Sequence, residues 1–104
     1  MATIEEIKWA LKVLEDNGVL KDKITILHCN TEYPTPYEDV NLEAIPYLME
    51  KFPEYKIGFS DHSQGYFDGV ASVIYGISFI EKHFTLDKNF EGPDHKASVT
   101  PDEL

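Results

Sequence analysis

The sequence predicts an α/β fold with parallel strands. Three features support this prediction: three apolar, strand-like segments, helical patterns in the intervals between them, and polar residues at the carboxyl end of each strand. Strands joined by helical crossovers pair in parallel. In open α/β sheets and in α/β barrels, ligands bind at that carboxyl end. Three parallel strands alone leave two bare edges, so we expect them to belong to a larger sheet.

The first predicted element is a helix. Thr3 and Glu6 form a capping-box pair, which satisfies the free N–H groups of a helix start. Trp9 is expected to pack rather than to offer a platform for a ligand, and Gly18 is the predicted helix stop. The apolar positions of one helical face are Ile4, Ile7, Leu11 and Leu14.

A strand, an irregular loop and a second helix follow. Ile24–His28 is the first predicted strand. Two prolines within residues 31–39 fix the backbone and remove donors, which excludes regular structure there. The second helix is predicted from about Asn41 to about Phe52. Because Pro46 lies inside it, either this helix starts later or its first turns are distorted.

The last predicted elements are a strand, a helix and a strand. Lys56–Ser60 is the second strand, and the polar turn 61–65 follows it. The third helix covers roughly Phe67–Tyr75 and ends at Gly76. Ser78–Phe84 is the third strand.

Composition excludes several classes of function. The chain of 104 residues has room for one domain, and its net charge of −10 argues against nucleic acid and anionic membranes as partners. No apolar run approaches the ~20 residues of a membrane helix. The N-terminus lacks the features of a signal peptide. Cys29 is the only cysteine, which excludes an intrachain disulfide. We expect a cytoplasmic protein.

His62 and His83 are the sharpest candidate pair. They end consecutive predicted strands, and parallel neighbours lie ~4.8 Å apart, so both imidazoles can reach one ion. The nearby carboxylates of Asp61, Glu81 and Asp94 suit a harder ion such as Mn²⁺. The alternative is two unrelated polar residues bonded to loop carbonyls, and the spacing alone leaves both interpretations open.

Two carboxylates are candidates for binding or catalysis. Glu81 precedes His83 by two residues, so it points to the same side of the strand. It could orient a sugar hydroxyl or act as an acid or base, or it could instead pair with Lys82 or Lys88. Asp94 lies in a Gly-Pro turn, where local hydrogen bonding is a sufficient explanation.

Aromatic and sulfur-containing residues complete the candidates. Tyr33 and Tyr37 flank the proline-containing loop and could stack on a substrate or simply pack that loop. His28 and Cys29 close the first predicted strand. We interpret them as a core histidine and a small buried thiol, since no activating base is evident beside the cysteine.

Several motifs, in order along the chain, carry a resemblance to a known family. They are HC at 28–29, EYPTPYEDVNL at 32–42, SDH at 60–62, EKHFTLD at 81–87 and GPDHKAS at 92–98. Together they closely resemble the sialic acid synthase family, which includes N-acetylneuraminate, legionaminate and pseudaminate synthases and the spore-coat polysaccharide synthases. The similarity covers essentially the whole chain.

The resemblance implies a fold. Family members have a (β/α)8 barrel followed by a small antifreeze-like domain. Because such a barrel needs ~250 residues, this chain supplies only part of it. We expect one domain over residues 1–104, a partial TIM barrel from about helix 5 to strand 8. The N-terminal barrel half and the antifreeze-like domain are then absent.

The resemblance also implies a transferase reaction. Family enzymes condense phosphoenolpyruvate with the aldehyde of an N-acetylated hexosamine, of the N-acetylmannosamine type, and release phosphate. A divalent metal, typically Mn²⁺ with Mg²⁺ or Co²⁺ as alternatives, polarises the aldehyde. His62 and His83 match the two metal ligands, and their separation (83 − 62 = 21) agrees with the family. With these histidines, Glu81 forms the catalytic set that the resemblance implies.

The remaining matches concern substrate binding. Glu81, Asp94 and Tyr33 match residues that contact the acceptor sugar. Ser60 and Thr31 resemble groups near phosphoenolpyruvate, although Asn30-Thr31 stands where relatives vary between amide and hydroxyl residues.

Two other functions stay open. One is a non-catalytic, self-associating module that binds sugar or metal; the other is a different phosphoenolpyruvate-dependent synthase of deoxy-sugar acids. The resemblance assigns the basic groups that hold phosphoenolpyruvate to parts outside this chain. A chain of charge −10 repels a trianionic substrate, so we expect it to be inactive alone. Its bare strand edges predict a homo-oligomer.

Overall fold

A computed structural model describes all 104 residues as a three-stranded parallel sheet with helices in the crossovers. The principal elements are α1 (Ile4–Asp16), β1 (Thr25–Cys29), α2 (Ala44–Lys51), β2 (Lys56–Asp61), α3 (Phe67–Ser72) and β3 (Ile80–Lys82). Short 3₁₀ turns cover Lys21–Lys23, Tyr37–Asp39 and Val73–Tyr75. The predicted α/β class with parallel strands is confirmed.

The ends of α1 follow from local sequence. The Thr3 side chain accepts from the backbone N–H of Glu6, and the Glu6 carboxylate accepts from Thr3 N at 2.7 Å, which is the predicted capping box. Gly18 has φ +86° and ends the helix as predicted. Leu11 of the predicted apolar face is buried. Trp9 is 70% exposed, so the packing expected of it is wrong.

Pro46 is accommodated because α2 starts later than the sequence pattern first indicates. The helix begins at Ala44, which places the proline in its first turn, where a backbone N–H has no helical partner to lose. Ile45 and Leu48 form its buried face. The ambiguity over this helix is thus resolved in favour of a later start.

Strand β2 lies at the centre of the sheet. Its residues 56–60 pair with 25–29 of β1, and its residues 59–61 pair with 80–82 of β3. Of the predicted third strand, 78–84, only residues 80–82 form a strand. Beyond β3 the chain turns toward the C-terminal segment, where Phe84 forms an isolated bridge with Val99.

The core is small and lies between the sheet and the first two helices. It consists of Leu11, Ile24, Val40, Ile45, Leu48, Phe52, Ile57 and Phe59. Only 20 of 104 residues are buried, and the radius of gyration is 15.0 Å, above the ~13 Å of a compact domain of this length. The face of α3 and β3 keeps large apolar side chains exposed. None of the helices combines the length and apolarity that a membrane crossing requires.

Candidate functional site

Strand register brings the first part of the site together. Cys29 of β1 pairs with Ser60 of β2, and Ser60 pairs with Glu81 of β3. The Ser60 hydroxyl donates a 2.7 Å hydrogen bond to Glu81 Oε1. Lys82 and Lys88 form ion pairs with other carboxylates, so the alternative ion pair for Glu81 does not form. The carboxylate is exposed at the carboxyl edge of the sheet, where a ligand can reach it.

The two histidines lie two residues beyond this row. Because Ser60 and Glu81 are register partners, His62 and His83 leave their strands at matching positions. Their ring centroids are 5.0 Å apart and the rings are nearly perpendicular, at 87°. Both side chains are partly exposed. The predicted proximity of the two imidazoles is therefore present in the structure.

Tyr33 packs against both histidines. Its ring stacks on that of His83 with centroids 4.1 Å apart, and it meets His62 edge-on at 5.3 Å. The hydroxyl lies 3.2 Å from Ser98 Oγ and 3.4 Å from the Asp94 carbonyl oxygen. Burial raises the pKa of this phenol, although the hydrogen bond to Ser98 opposes the shift. Tyr33 thus belongs to the site rather than to the packing of its own loop alone.

Asp94 stabilises its own turn through its backbone, and its side chain faces the site. Its carbonyl oxygen accepts hydrogen bonds from Ala97 N, Ser98 N and Ser98 Oγ, which is the local role that its turn predicts. Its carboxylate is 54% exposed and lies 3.7 Å from Nδ1 of His83. The turn therefore holds a solvent-facing carboxylate against one histidine.

Thr31 stands apart from this cluster. It is exposed in the loop after β1 and its side chain makes no hydrogen bond. The structure therefore brings together six of the seven predicted site residues and leaves this one alone.

Cys29 and His28 have different surroundings. His28 is a core residue whose Nε2 lies 2.7 Å from the Val40 carbonyl oxygen, as predicted. Cys29 is only partly buried, which differs from the expected buried thiol, and its Sγ lies 3.8 Å from His62 Nδ1. The expectation that no base accompanies this thiol is wrong, because the parallel register of β1 and β2 brings the histidine beside it.

A buried ion pair behind the histidines was not predicted from the sequence. Asp61 and Lys82 are partners in the last pair of the β2–β3 ladder, directly before His62 and His83. Lys82 Nζ lies 3.1 Å from Asp61 Oδ2, and the side chains are 8% and 0% exposed. The period-two alternation of strands places both side chains on the face opposite the histidines. The Asp61 carboxylate, expected near the histidine pair, is therefore buried against Lys82 instead.

The histidine pair can supply part of a metal site. A centroid separation of 5.0 Å allows one ring nitrogen of each imidazole to approach a common ion at the ~2.1 Å of metal–imidazole bonds. No three His, Cys, Asp or Glu side chains gather closely enough to hold an ion by themselves. Among the side chains of the site, the two imidazoles are therefore the candidates for contact with an ion.

Comparison with known proteins decides the family. The model of the NeuB family matches residues 1–104, the whole chain. The chain belongs to the NeuB family. The chain is 52% identical over 104 residues to the N,N'-diacetyllegionaminic acid synthase of Campylobacter jejuni, and it covers 100% of its own length and 31% of that protein. It is 38% identical to the N-acetylneuraminate-9-phosphate synthase of Homo sapiens, again over 100% of its own length and 27% of that protein.

Solved NeuB relatives share the fold. The spore coat polysaccharide biosynthesis protein SpsE of Bacillus subtilis superposes with a TM-score of 0.89 at 44% identity, over 98% of this chain and 28% of that one. The N-acetylneuraminic acid synthetase of Leptospira borgpetersenii gives a TM-score of 0.87 at 37% identity, over 99% of this chain and 35% of that one. The chain thus spans about a third or less of the length of these relatives.

Proposed function

We propose that this chain carries the metal- and sugar-binding part of a NeuB-type synthase, which joins phosphoenolpyruvate to an N-acetylated hexosamine and releases phosphate. The observation that carries the proposal is the His62–His83 pair, 5.0 Å apart, with Tyr33 and Asp94 packed against it. Relatives that match the whole chain are named as synthases of N,N'-diacetyllegionaminic acid, of N-acetylneuraminate-9-phosphate and of pseudaminic acid. The proposed product is accordingly a nonulosonic acid.

His62 and His83 are the proposed ligands of a divalent ion, with Mn²⁺ as the first choice and Mg²⁺ or Co²⁺ as alternatives. Imidazole suits a borderline ion, and the carboxylate of Asp94 beside His83 favours one with affinity for oxygen. When bound, such an ion supplies Lewis acidity toward a carbonyl oxygen of the sugar. The incomplete donor set leaves positions for that oxygen.

Glu81, Asp94 and Tyr33 are the proposed sugar-binding groups. The Glu81 carboxylate accepts one hydrogen bond from Ser60 and stays exposed, so it retains lone pairs for a sugar hydroxyl or for a proton. The Asp94 carboxylate is free of protein hydrogen bonds and can bind a second hydroxyl. Tyr33, whose ring stacks on His83, is the proposed aromatic contact, and burial raises the pKa of its phenol.

Phosphoenolpyruvate is the proposed second substrate, with Ser60 and Thr31 as its candidate contacts. Thr31 is exposed in the loop after β1, so it needs no rearrangement of the core to reach a ligand. The chain's net charge of −10 opposes binding of a trianion. We therefore propose that the basic groups for this substrate come from outside these 104 residues and that the chain alone is inactive.

The sheet is proposed to be part of a (β/α)8 barrel. Its short strand β3, its small core and the exposed apolar face of α3 all call for further packing partners. In the absence of such partners, a second copy of the chain is the proposed cover, so the isolated chain forms homo-oligomers.

A segment exchange tests the proposed function. Residues 1–104 replace the matching segment of the C. jejuni N,N'-diacetyllegionaminic acid synthase, to which they are 52% identical. We expect the folded chimera to form product, and we expect His62→Ala/His83→Ala in the same chimera to lose that activity. His95→Gln is the matched control, because its imidazole bonds to Thr85 rather than to the pair. A folded chimera as inactive as its double variant contradicts the proposal.

A further inference from the structure

We propose that the buried ion pair of Asp61 and Lys82 is a positioning device that sets the separation of His62 and His83. The pair forms the last rung of the β2–β3 ladder, and each of its members directly precedes one histidine. Neither side chain lies on the histidine side of the sheet. Its importance for catalysis rests on the proposed function, whereas its effect on the separation of the two histidines does not.

The short strand β3 explains why such a device is needed. β3 has only three residues, and the further hydrogen bonds to β2, from Ser78 N to Ile57 O and from Phe59 N to Phe79 O, lie on its N-terminal side, away from the histidines. A slip of one residue moves every side chain to the opposite face, which would exchange Lys82 and His83. A buried ammonium is stable only beside its counter-charge, so the contact of Lys82 Nζ with Asp61 Oδ2 at 3.1 Å selects one register.

Ser63, the residue after His62, hydrogen-bonds to both members of the ion pair. Asp61 Oδ1 accepts hydrogen bonds from Ser63 N at 2.9 Å and from Ser63 Oγ at 2.7 Å. Lys82 Nζ donates to the Ser63 carbonyl oxygen. The backbone is therefore tied down at the residues before and after His62, and both ties lead to the residue that precedes His83.

The pair is poorly explained as a source of stability alone. Asp61 Oδ2 has no directed hydrogen bond, so its burial is compensated by the charge of Lys82 only. Replacing both members of a buried pair by uncharged groups of similar shape is often neutral or stabilising, whereas removing one member leaves an uncompensated charge. This difference allows positioning to be separated from folding.

The test compares the double variant Asp61→Asn/Lys82→Met with the wild-type chain. The double variant leaves the net charge unchanged, and the amide oxygen introduced at position 61 can still accept the hydrogen bonds from Ser63. The first measurement is the ring-current shift of the His83 imidazole protons under Tyr33, followed by NMR at fixed pH. The second is Mn²⁺ affinity measured by EPR, and urea unfolding shows whether the variant is folded. Lys88→Met/Glu103→Gln, which removes another ion pair, is the matched control.

We expect the double variant to unfold at a urea concentration near that of the wild type, yet to lose most of the His83 ring-current shift. Its Mn²⁺ dissociation constant should rise about tenfold, the lower end of effects seen for groups that orient metal ligands. The control variant should change neither the His83 ring-current shift nor the Mn²⁺ dissociation constant. A folded double variant with the wild-type ring-current shift overturns the proposal. If Mn²⁺ binds no variant, including the wild type, the proposed metal site fails and the NMR shift alone decides the positioning.

A second variant decides the question if the double variant does not fold. Lys82→Arg keeps the charge and changes the reach of the cation, so positioning predicts a folded chain with an altered His83 shift. A wild-type shift in that variant overturns the proposal. If neither variant folds, the pair serves folding rather than positioning, and the proposal is also overturned.

Discussion

Gly58 lies at the centre of β2, and adding a single methyl group there should lower the free energy of unfolding. A Cβ there would lie 2.6 Å from both Leu27 Cδ2 and the Phe79 carbonyl oxygen. The leucine can rotate, but the carbonyl oxygen accepts a 2.9 Å hydrogen bond from Phe59 N and cannot retreat without breaking it. Overpacking costs about 1–3 kcal/mol and a lost hydrogen bond about 1 kcal/mol. Alanine recovers about 0.5–1 kcal/mol of backbone entropy. For Gly58→Ala we expect a net loss of about 2 kcal/mol from the free energy of unfolding.

Urea and thermal unfolding followed by circular dichroism measure this loss. For a domain of this size, about 2 kcal/mol corresponds to a fall of roughly 8–16 °C in Tm. Gly65→Ala is the control: its Cβ meets nothing within 4 Å, so only its φ of +80° is unfavourable, at about 1 kcal/mol. A loss for Gly58→Ala no larger than that for Gly65→Ala would refute the argument that the strands close tightly at this glycine.

Three further outcomes follow from the structure. Thr3→Ala removes the side-chain cap of α1 and should lower the free energy of unfolding by about 1 kcal/mol in urea; no change would show that the helix start is frayed. Burial raises the pKa of Tyr33 above its usual 10.0. The protonated phenol therefore contributes stability that is complete below pH 10 and is lost as the pH rises through the folded-state pKa. Tyr33→Phe should make this alkaline loss of stability smaller, as measured by chemical unfolding. Ile74, 81% exposed on the apolar face, should promote association, so Ile74→Asp should lower the mass found by light scattering, and a wild-type monomer at dilute concentration would contradict this.

The sequence predicted most of the fold because its local signals agree with one another. The capping box at Thr3 and the stop at Gly18 depend on residues a few positions apart, and both are present. Strand β3 ends earlier than predicted, because it stops with β2, whose last residue, Asp61, pairs with Lys82. Local patterns do not carry that information.

Prediction of the site was uneven for a related reason. The proximity of His62 and His83 follows from parallel pairing, which the alternation of helices and strands already indicates. The stacking of Tyr33 on His83 depends on the path of an irregular loop, which no periodicity describes. The approach of Cys29 to His62 required the exact residue pairing between β1 and β2.

Mn²⁺ titration followed by EPR tests the central claim, that His62 and His83 form one metal site. The wild-type chain is compared with His62→Ala/His83→Ala at moderate ionic strength, which screens unspecific attraction of the cation to a chain of charge −10. We expect saturable binding in the wild type that is lost in the double variant and kept in His95→Gln. Equal binding by the wild type and the double variant, with circular dichroism showing both folded, would contradict the claim.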